Sequence, residues 1–121
     1  MIGLLDRDTH LIDGSTSVFY KLHMSNEVRQ TEEFATWLDG LKDHKAAALV
    51  SARIERLGYG LAGDVKVFDG IGELRIDYGP GYRIYFCRRG GIIYILLCGG
   101  TKRTQDRDIK RAKKLAKEMD E

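Results

Sequence analysis

The sequence of 121 residues predicts an α+β fold. In this fold an N-terminal strand and a helix hairpin pack on a mostly antiparallel sheet of three to four strands, and a helix ends the chain. Residues 73–105 carry the main observation, because Gly79-Pro80-Gly81 and Gly90-Gly91 are turn signals that divide this segment into three antiparallel strands. The second observation is a pair of apolar stripes at helical spacing before this segment, and the third is one more stripe after it.

Composition is typical of one globular domain. The chain has 43% hydrophobic and 31% charged residues and a single proline, and it shows no internal repeat. We expect residues 26–121 to form the domain and residues 1–25 to be an N-terminal extension. Within the extension, residues 17–23 suit either a short extra strand or an arm on the body, and Met24 is an alternative start. No apolar run suits a membrane span or a signal peptide, so the sequence predicts a cytoplasmic protein without membrane contact.

The first strand and the two helices of the hairpin follow one another closely. Residues 26–30 predict a strand with Val28 facing inward, and Thr31 caps a helix with Glu32 and Glu33 in its first turn. Asp43 caps a second helix over residues 44–57, and the short connection makes the two helices antiparallel. The apolar stripes of the two helices are Phe34, Trp37, Leu38 and Leu41, and then Ala46, Val50, Ile54 and Leu57.

Residues 60–72 form a glycine-rich connection that holds at most one short edge strand, around Val65 and Val67. Its glycines do not match a phosphate-binding fingerprint, because no GxGxxG opens a helix after a strand and no GK[ST] occurs. Lys66 on this connection is predicted to reach the functional corner described below.

The turn signals also predict a register. The first turn places Tyr78 opposite Tyr82, Asp77 opposite Arg83, and Arg75 opposite Tyr85. The second turn places Arg89 opposite Ile92, Cys87 opposite Tyr94, and Arg83 opposite Cys98. Alternation then predicts a core face of Leu74, Ile76, Tyr78, Tyr82, Ile84, Phe86, Ile95 and Leu97. The opposite face carries Glu73, Arg75, Asp77, Arg83, Tyr85, Cys87, Tyr94, Leu96 and Cys98.

The two cysteines are predicted to be free thiols. In this register Cys87 and Cys98 share a face but lie four positions apart, on the order of 13 Å, which is too far for a disulfide. The three histidines lie far from both cysteines in sequence, so no metal site is expected.

Four basic residues are predicted to converge at one corner of the sheet. The third strand ends beside the start of the second, which brings Lys102 and Arg103 next to Arg83 and Arg75. Thr104 is the predicted N-cap of the last helix, whose free N–H groups and dipole favour an anion at the same place. A phosphate would fit there, with Tyr85 as an auxiliary donor.

The last helix is strongly basic. Residues 101–117 contain eight basic residues and two acidic ones. Such a run is either a solvated helix face, which is its commoner meaning, or a footprint for a polyanion. Within this run Thr104, Arg107, Lys110 and Arg111 are the candidate contacts to a polyanion.

The order of elements, together with ELR (73–75), GYR (81–83) and GGTKRTQ (99–105), resembles the RelE/ParE superfamily of toxins from type II toxin–antitoxin modules. The HigB-like branch, the "addiction module killer" proteins, is the most similar. The resemblance covers about residues 26–117 and implies a metal-independent, cofactor-free endoribonuclease that cuts messenger RNA on the ribosome. It also implies a small helix-turn-helix antitoxin as partner.

The resemblance carries the functional arginine of GYR onto Arg83, and the other basic positions onto Arg75, Lys102 and Arg103. With RNA as the implied substrate, the candidate RNA contacts are Tyr85, Lys66, Thr104, Arg107, Lys110 and Arg111. This sequence departs from some ribosome-dependent relatives at Glu73 and Asp77, which are acidic here. The last helix also has no histidine or tyrosine to donate a proton.

The chemistry expected at the corner is attack by the RNA 2′-OH on the adjacent phosphate. Arginines stabilise the extra negative charge, and Lys102 would serve as base once neighbouring cations favour its neutral amine. Three alternatives remain open from the sequence. Asp77 and Arg83 form only a cross-strand ion pair, the chain inhibits DNA gyrase without catalysis as ParE-like toxins do, or it only binds an antitoxin or RNA.

Overall fold

The computed structural model describes residues 4–6, 26–91 and 93–120. Six strands, three α-helices and one 3₁₀ turn make up these residues. They are β1 (Leu4–Asp6), β2 (Glu27–Thr31), α1 (Glu32–Asp39), α2 (His44–Gly58), β3 (Val65–Phe68), β4 (Ile71–Ile76), β5 (Tyr82–Arg89), β6 (Ile93–Thr101), the 3₁₀ turn (Lys102–Thr104) and α3 (Gln105–Met119). The predicted α+β class, the helix hairpin and the C-terminal helix are confirmed.

The strands form one sheet in the order β1-β2-β6-β5-β4-β3. β2 pairs with β6 in parallel, and every other neighbouring pair is antiparallel. The sheet is larger than the three to four strands predicted, because β1 adds to the β2 edge and β3 adds to the β4 edge. The edge strand predicted around Val65 and Val67 is therefore confirmed. The alternatives for residues 17–23 and Met24 lie outside the described residues.

The helices form where the sequence places their caps. The Thr31 hydroxyl accepts from the Phe34 N–H at 3.0 Å and donates to the Leu97 carbonyl at 2.7 Å, so one side chain starts α1 and ties it to β6. Asp43 accepts from the N–H groups of Lys45 and Ala46 at the start of α2. These backbone hydrogen bonds, the one from Ala46 above all, lower the pKa of Asp43.

Both faces of the sheet are covered. One face packs on α1 and α2 around Val28, Phe34, Ile54, Leu74 and Ile84, all nearly inaccessible to solvent. The other face packs on α3, where Ala112, Leu115 and Ala116 cover the sheet. The predicted stripes of α1 and α2 line the first cluster, which confirms them.

The predicted register of β4 and β5 is wrong by two residues. Arg75 faces Arg83, Ile76 faces Tyr82 and Glu73 faces Tyr85. The connection is longer than predicted, because β4 ends at Ile76, the Tyr78 N–H donates to the Ile76 carbonyl, and the Gly81 N–H donates to the Tyr78 carbonyl. An even shift keeps each side chain on its predicted face.

The predicted register of β5 and β6 is wrong by one residue, which exchanges the faces of β6. Arg89 faces Ile93 instead of Ile92, and Cys87 faces Ile95 instead of Tyr94. Tyr94 and Leu96 therefore pack on the helix hairpin, while Ile95 and Leu97 lie under α3, the reverse of the prediction.

A β-bulge then shifts the register of β6 again. Phe86 faces Leu96 but Tyr85 faces Cys98, so Leu97 is the extra residue of β6. Beyond the bulge Arg83 faces Gly100 instead of the predicted Cys98. The bulge thereby returns Cys98 to its predicted face.

The two cysteines are free and buried, as predicted. Both lie under α3, which confirms that they share a face. Cys98 faces Tyr85, so it lies two positions from Cys87 along β5 and not four. None of the helices that the structure describes is long and apolar enough to span a membrane.

Candidate functional site

Arg83 lies in the middle of the predicted corner. Across the sheet it faces Arg75 on β4 and Gly100 on β6. Its Nη1 donates to the Tyr82 carbonyl at 3.3 Å, and its buried Nε has no hydrogen-bond partner. The predicted alternative of a facing Asp77–Arg83 ion pair is wrong, because Arg83 faces a cation and forms no ion pair within the described ranges.

Lys102 joins Arg83 through the backbone of the first turn. The Lys102 N–H donates to the Gly81 carbonyl at 2.8 Å, which fixes the start of the 3₁₀ turn against the loop. A methyl group at Gly81 would lie 3.4 Å from Lys102 Cβ and 3.5 Å from Arg83 Nη1, so the two cationic residues flank this glycine. The exposed Arg103 follows in the same turn.

Arg75 is close in the sheet but already has a counterion. Its Nη2 lies 2.6 Å from Asp64 Oδ1, and this hydrogen bond raises the pKa of Arg75. Of the four predicted catalytic residues, the structure therefore brings Arg83 and Lys102 together, with Arg103 beside them. The charge of Arg75 is balanced by Asp64.

Thr104 occupies the residue before α3, as predicted, but makes no side-chain capping bond to the helix. Its hydroxyl instead accepts from the Thr101 N–H at 3.2 Å and donates to Asp108 Oδ2 at 2.5 Å. The Asp108 carboxylate is nearly buried in the first turn of α3. It places a negative charge where an anion was expected, so the helix end attracts phosphate less than the sequence suggested.

Tyr85 is not available for the RNA contact predicted for it, because it is completely buried. Its hydroxyl donates to Glu73 Oε2 at 3.0 Å, and Gln105 Nε2 donates to the same oxygen at 2.7 Å. Burial first, and then the hydrogen bond to Glu73, raise the pKa of Tyr85 far above its ordinary value. The predicted auxiliary donor is instead part of a network that joins β4, β5 and α3.

The other candidate RNA contacts are spread over the surface. Lys66 faces Glu73 across the β3 edge, and its ammonium lies 5.5 Å from the centre of the Phe68 ring. Arg111 forms a bidentate ion pair with Glu33, at 2.6 and 3.0 Å, that links α3 to α1. Arg107 and Lys110 are exposed on α3.

A cleft of about 350 Å³ opens between α1 and α3, beside the end of β6. Sequence reasoning missed it and assigned Trp37 to the core alone. Its lining residues are Glu33, Trp37, Cys98, Gly99, Arg107, Asp108 and Arg111. The sequence did contain a signal for it, the pair Gly99-Gly100 at the end of a strand, because glycines in strands often mark a close approach. A methyl group at Gly99 would collide with the Trp37 indole, and one at Gly100 with the Asp108 carboxylate.

Comparison with known proteins gives one informative match. The chain is 53% identical over 97 residues to a protein of Haemophilus influenzae named "Uncharacterized protein", and the match covers 79% of this chain and 98% of that protein. The chain belongs to the family of this Haemophilus protein. No protein-family model matches the chain, and no solved structure matches it.

In this protein the basic corner around Arg83 and Lys102 has the composition of an anion-binding site. Arg83 and Lys102 offer N–H donors from two elements that are fixed to each other by a backbone hydrogen bond. Planar guanidinium groups contact two oxygens of a phosphate at once. No group of three or more His, Cys, Asp or Glu suited to a metal ion occurs in the part of the chain that the structure describes.

Proposed function

We propose that the protein is the toxin of a type II toxin–antitoxin module and cleaves messenger RNA in the cytoplasm on the ribosome. Its partners are then the ribosome, messenger RNA and an antitoxin with a helix-turn-helix domain. Two lines support the proposal. One is the order of strand, helix hairpin, antiparallel strands and terminal helix that carries the resemblance to HigB-like toxins of the RelE/ParE superfamily. The other is the basic corner.

The observation that carries the proposal is the state of Arg83. Three of the other four arginines on the described strands have counterions, Arg29 with Glu27, Arg75 with Asp64 and Arg89 with Asp120. The fourth, Arg88, is exposed and stacks on Tyr94. Arg83 is half-buried and has no carboxylate partner among the described residues, and its buried Nε lacks a hydrogen-bond partner, as do those of Arg29 and Arg53. A buried, unpaired donor on a cation costs free energy, and a bound anion that accepts from it offsets that cost. A phosphate bound at the corner would supply the missing charge.

The proposed mechanism uses the nucleophile of the RNA itself. The 2′-OH attacks the adjacent phosphorus, the bond to the 5′ oxygen breaks, and a 2′,3′-cyclic phosphate forms. Arg83 contacts the phosphate oxygens and stabilises the charge that grows on them, with Arg103 adding positive potential. Lys102, which flanks Gly81 together with Arg83, is the group that we assign to removal of the 2′-OH proton, and water supplies a proton to the leaving 5′ oxygen.

The test is Arg83→Ala, with Arg88→Ala as the matched control. Arg88 lies on the same strand at the opposite end, exposed and stacked 4.8 Å over the Tyr94 ring. Loss of a cation that acts mainly in the transition state should lower the rate about a hundredfold, or roughly 3 kcal/mol. Translation-coupled cleavage of a reporter message and growth arrest measure activity, and thermal unfolding verifies that both variants are folded.

We expect Arg83→Ala to be folded and inactive and Arg88→Ala to cleave normally. Normal cleavage by Arg83→Ala would overturn the proposed mechanism. Growth arrest with intact messages in both variants would instead indicate a target other than RNA, such as gyrase.

A further inference from the structure

The cleft between α1 and α3 lies on the other side of the same strand end as the basic corner. Gly100 faces Arg83 across the sheet, and the position of its missing Cβ is occupied by the Asp108 carboxylate. Neighbouring strands are about 5 Å apart. The backbone of Arg83 therefore lies about one strand spacing from the β6 residues that border the cleft, a distance that adjacent nucleotides can bridge.

One wall of the cleft is an aromatic ring. Trp37 packs its indole on Gly99, and its other neighbours are the rings of Phe34 at 5.6 Å and Tyr82 at 6.4 Å between centroids. The residue is only partly buried, so part of the ring faces the cleft. The exposed Arg107 lines the same space. Aromatic rings and guanidinium planes are the surfaces on which unpaired bases stack.

Two carboxylates line the cleft: Glu33, which is paired with Arg111, and Asp108, which has one weakly engaged oxygen. Asp108 Oδ2 accepts from the Thr104 hydroxyl, which holds the group in place. Asp108 Oδ1 has only Arg107 Nε at 3.4 Å, and the Arg107 side chain is 77% exposed and free to move aside. The residue itself is 7% exposed. A carboxylate in this position accepts N–H donors from a ligand in the cleft and cannot donate to one.

We propose that this cleft binds a guanine base of single-stranded RNA, next to the phosphate held at the basic corner. As a statement about RNA, the inference rests on the proposed function. Guanine is the base whose Watson–Crick edge presents two adjacent donors, N1–H and the N2 amino group, and Asp108 Oδ1 accepts from both while Oδ2 keeps its bond to Thr104. Adenine and cytosine each place an acceptor nitrogen beside their amino group, and a carboxylate oxygen repels that nitrogen. Uracil offers a single N–H between two carbonyls.

The protein reports on this cleft directly, because Trp37 is its only tryptophan. The experiment titrates the full chain with guanosine, adenosine, cytidine, uridine and inosine 5′-monophosphates and follows indole fluorescence, excited at wavelengths that the nucleotides do not absorb. We expect guanosine monophosphate to quench most strongly. Inosine monophosphate lacks the N2 amino group and should bind about tenfold more weakly.

Asp108→Asn should remove the preference for guanine, because the amide oxygen would keep the bond from the Thr104 hydroxyl and the NH2 donor would face the cleft. Lys114→Gln, at an exposed position of α3 that does not line the cleft, should leave the preference intact. The comparison of guanosine with inosine uses the unaltered protein, so it decides the matter even if Asp108→Asn fails to fold. Equal quenching by all five nucleotides, or none by guanosine monophosphate, would overturn the proposal.

The test of the guanine site can be distinguished from the test of the proposed nuclease function. Arg83→Ala should abolish cleavage while guanosine monophosphate still quenches Trp37, since the base and phosphate sites use different side chains. If cleavage depends on Arg83 but no nucleotide is preferred, the guanine site is wrong and the nuclease function stands. If guanine is preferred but no RNA is cleaved, the guanine site stands and the nuclease function is wrong.

Discussion

At the scale of single residues, Gly99 and Gly100 determine how closely the helices approach β6. Their missing side chains leave room for the Trp37 ring on one face and the Asp108 carboxylate on the other. Neither glycine has a positive φ, so packing and not backbone conformation demands a glycine at both positions. Gly99 lines the cleft, and Gly100 beside it faces Arg83 of the basic corner.

Gly100→Ala tests this account. Its methyl group would collide with Asp108 Oδ2, which must move and lose its bond to Thr104, so we expect a loss of about 2 kcal/mol or more in the free energy of unfolding. The control is Gly90→Ala in the β5–β6 turn, where no atom lies within 4 Å and only the strain of φ +62° is expected, about 1 kcal/mol. Denaturant unfolding measures both variants. Equal losses would show that the close approach is unimportant.

At the scale of elements, α3 packs over ionisable side chains and keeps them from water, which favours their neutral forms. Under it lie Cys87, Cys98 and Tyr85, and burial is the first cause that raises the pKa of each. The pKa of Cys98 rises to about 12. These groups stay protonated in the folded protein at pH values where the unfolded chain loses its protons.

Stability should therefore fall as pH rises. An unfolded cysteine ionises near pH 8.5, so between there and pH 12 the unfolded chain binds fewer protons than the folded one. Each such group then lowers the free energy of unfolding by up to about 1.4 kcal/mol per pH unit. Urea unfolding at about pH 8, 9 and 10 measures the slope, and Cys98→Ala should make it shallower. Parallel slopes for the two proteins would contradict the assignment to Cys98.

The elements also show which parts of the fold are readable from sequence. Helix caps and stripes are local, and Thr31, Asp43 and the stripes of α1 and α2 were predicted correctly. Register depends on loop length, and the glycine signals did not indicate that β6 begins at Ile93, opposite Arg89. A single residue was enough to reverse β6. The bulge at Leu97 left no recognisable local signal.

The candidate site was predictable only in part for the same reason. The convergence of Arg83 and Lys102 needed only the chain order of the strands, and it survived the register errors. The burial of Tyr85 and the ion pair of Arg75 with Asp64 depend on tertiary contacts of α3 and of the loop before β3. Those contacts are not encoded in the spacing of β4 and β5.

At the scale of the whole molecule, the two sheet edges are β1 and β3. β1 pairs with the outer side of β2, while β2 is held on its inner side by β6 and by the contact of Thr31 with the Leu97 carbonyl. Val28 of β2 is 2% exposed. Contacts within residues 26–120 therefore hold β2 in the sheet independently of β1.

We expect a chain that starts at Met24 to fold cooperatively. Its core from β2 to α3 is unchanged, but the open edge of β2 becomes available for pairing with other chains. Thermal unfolding by circular dichroism tests folding, and gel filtration at increasing protein concentration tests association, each against the full-length chain. An insoluble or unfolded product would show that β1 belongs to the essential sheet.

The parallel pairing of β2 with β6 also determines when the sheet can form during synthesis. β6 is the last strand of the chain, yet it lies at the centre of the sheet between β2 and β5. Until its residues have left the ribosomal tunnel, β2 has no inner neighbour and α1 has no β6 to pack on. Formation of the sheet must then bring together residues about 65 positions apart, which slows folding. A nascent chain therefore cannot assemble its basic corner until β6 and the 3₁₀ turn have left the tunnel, so a partner can bind the earlier elements before the corner exists.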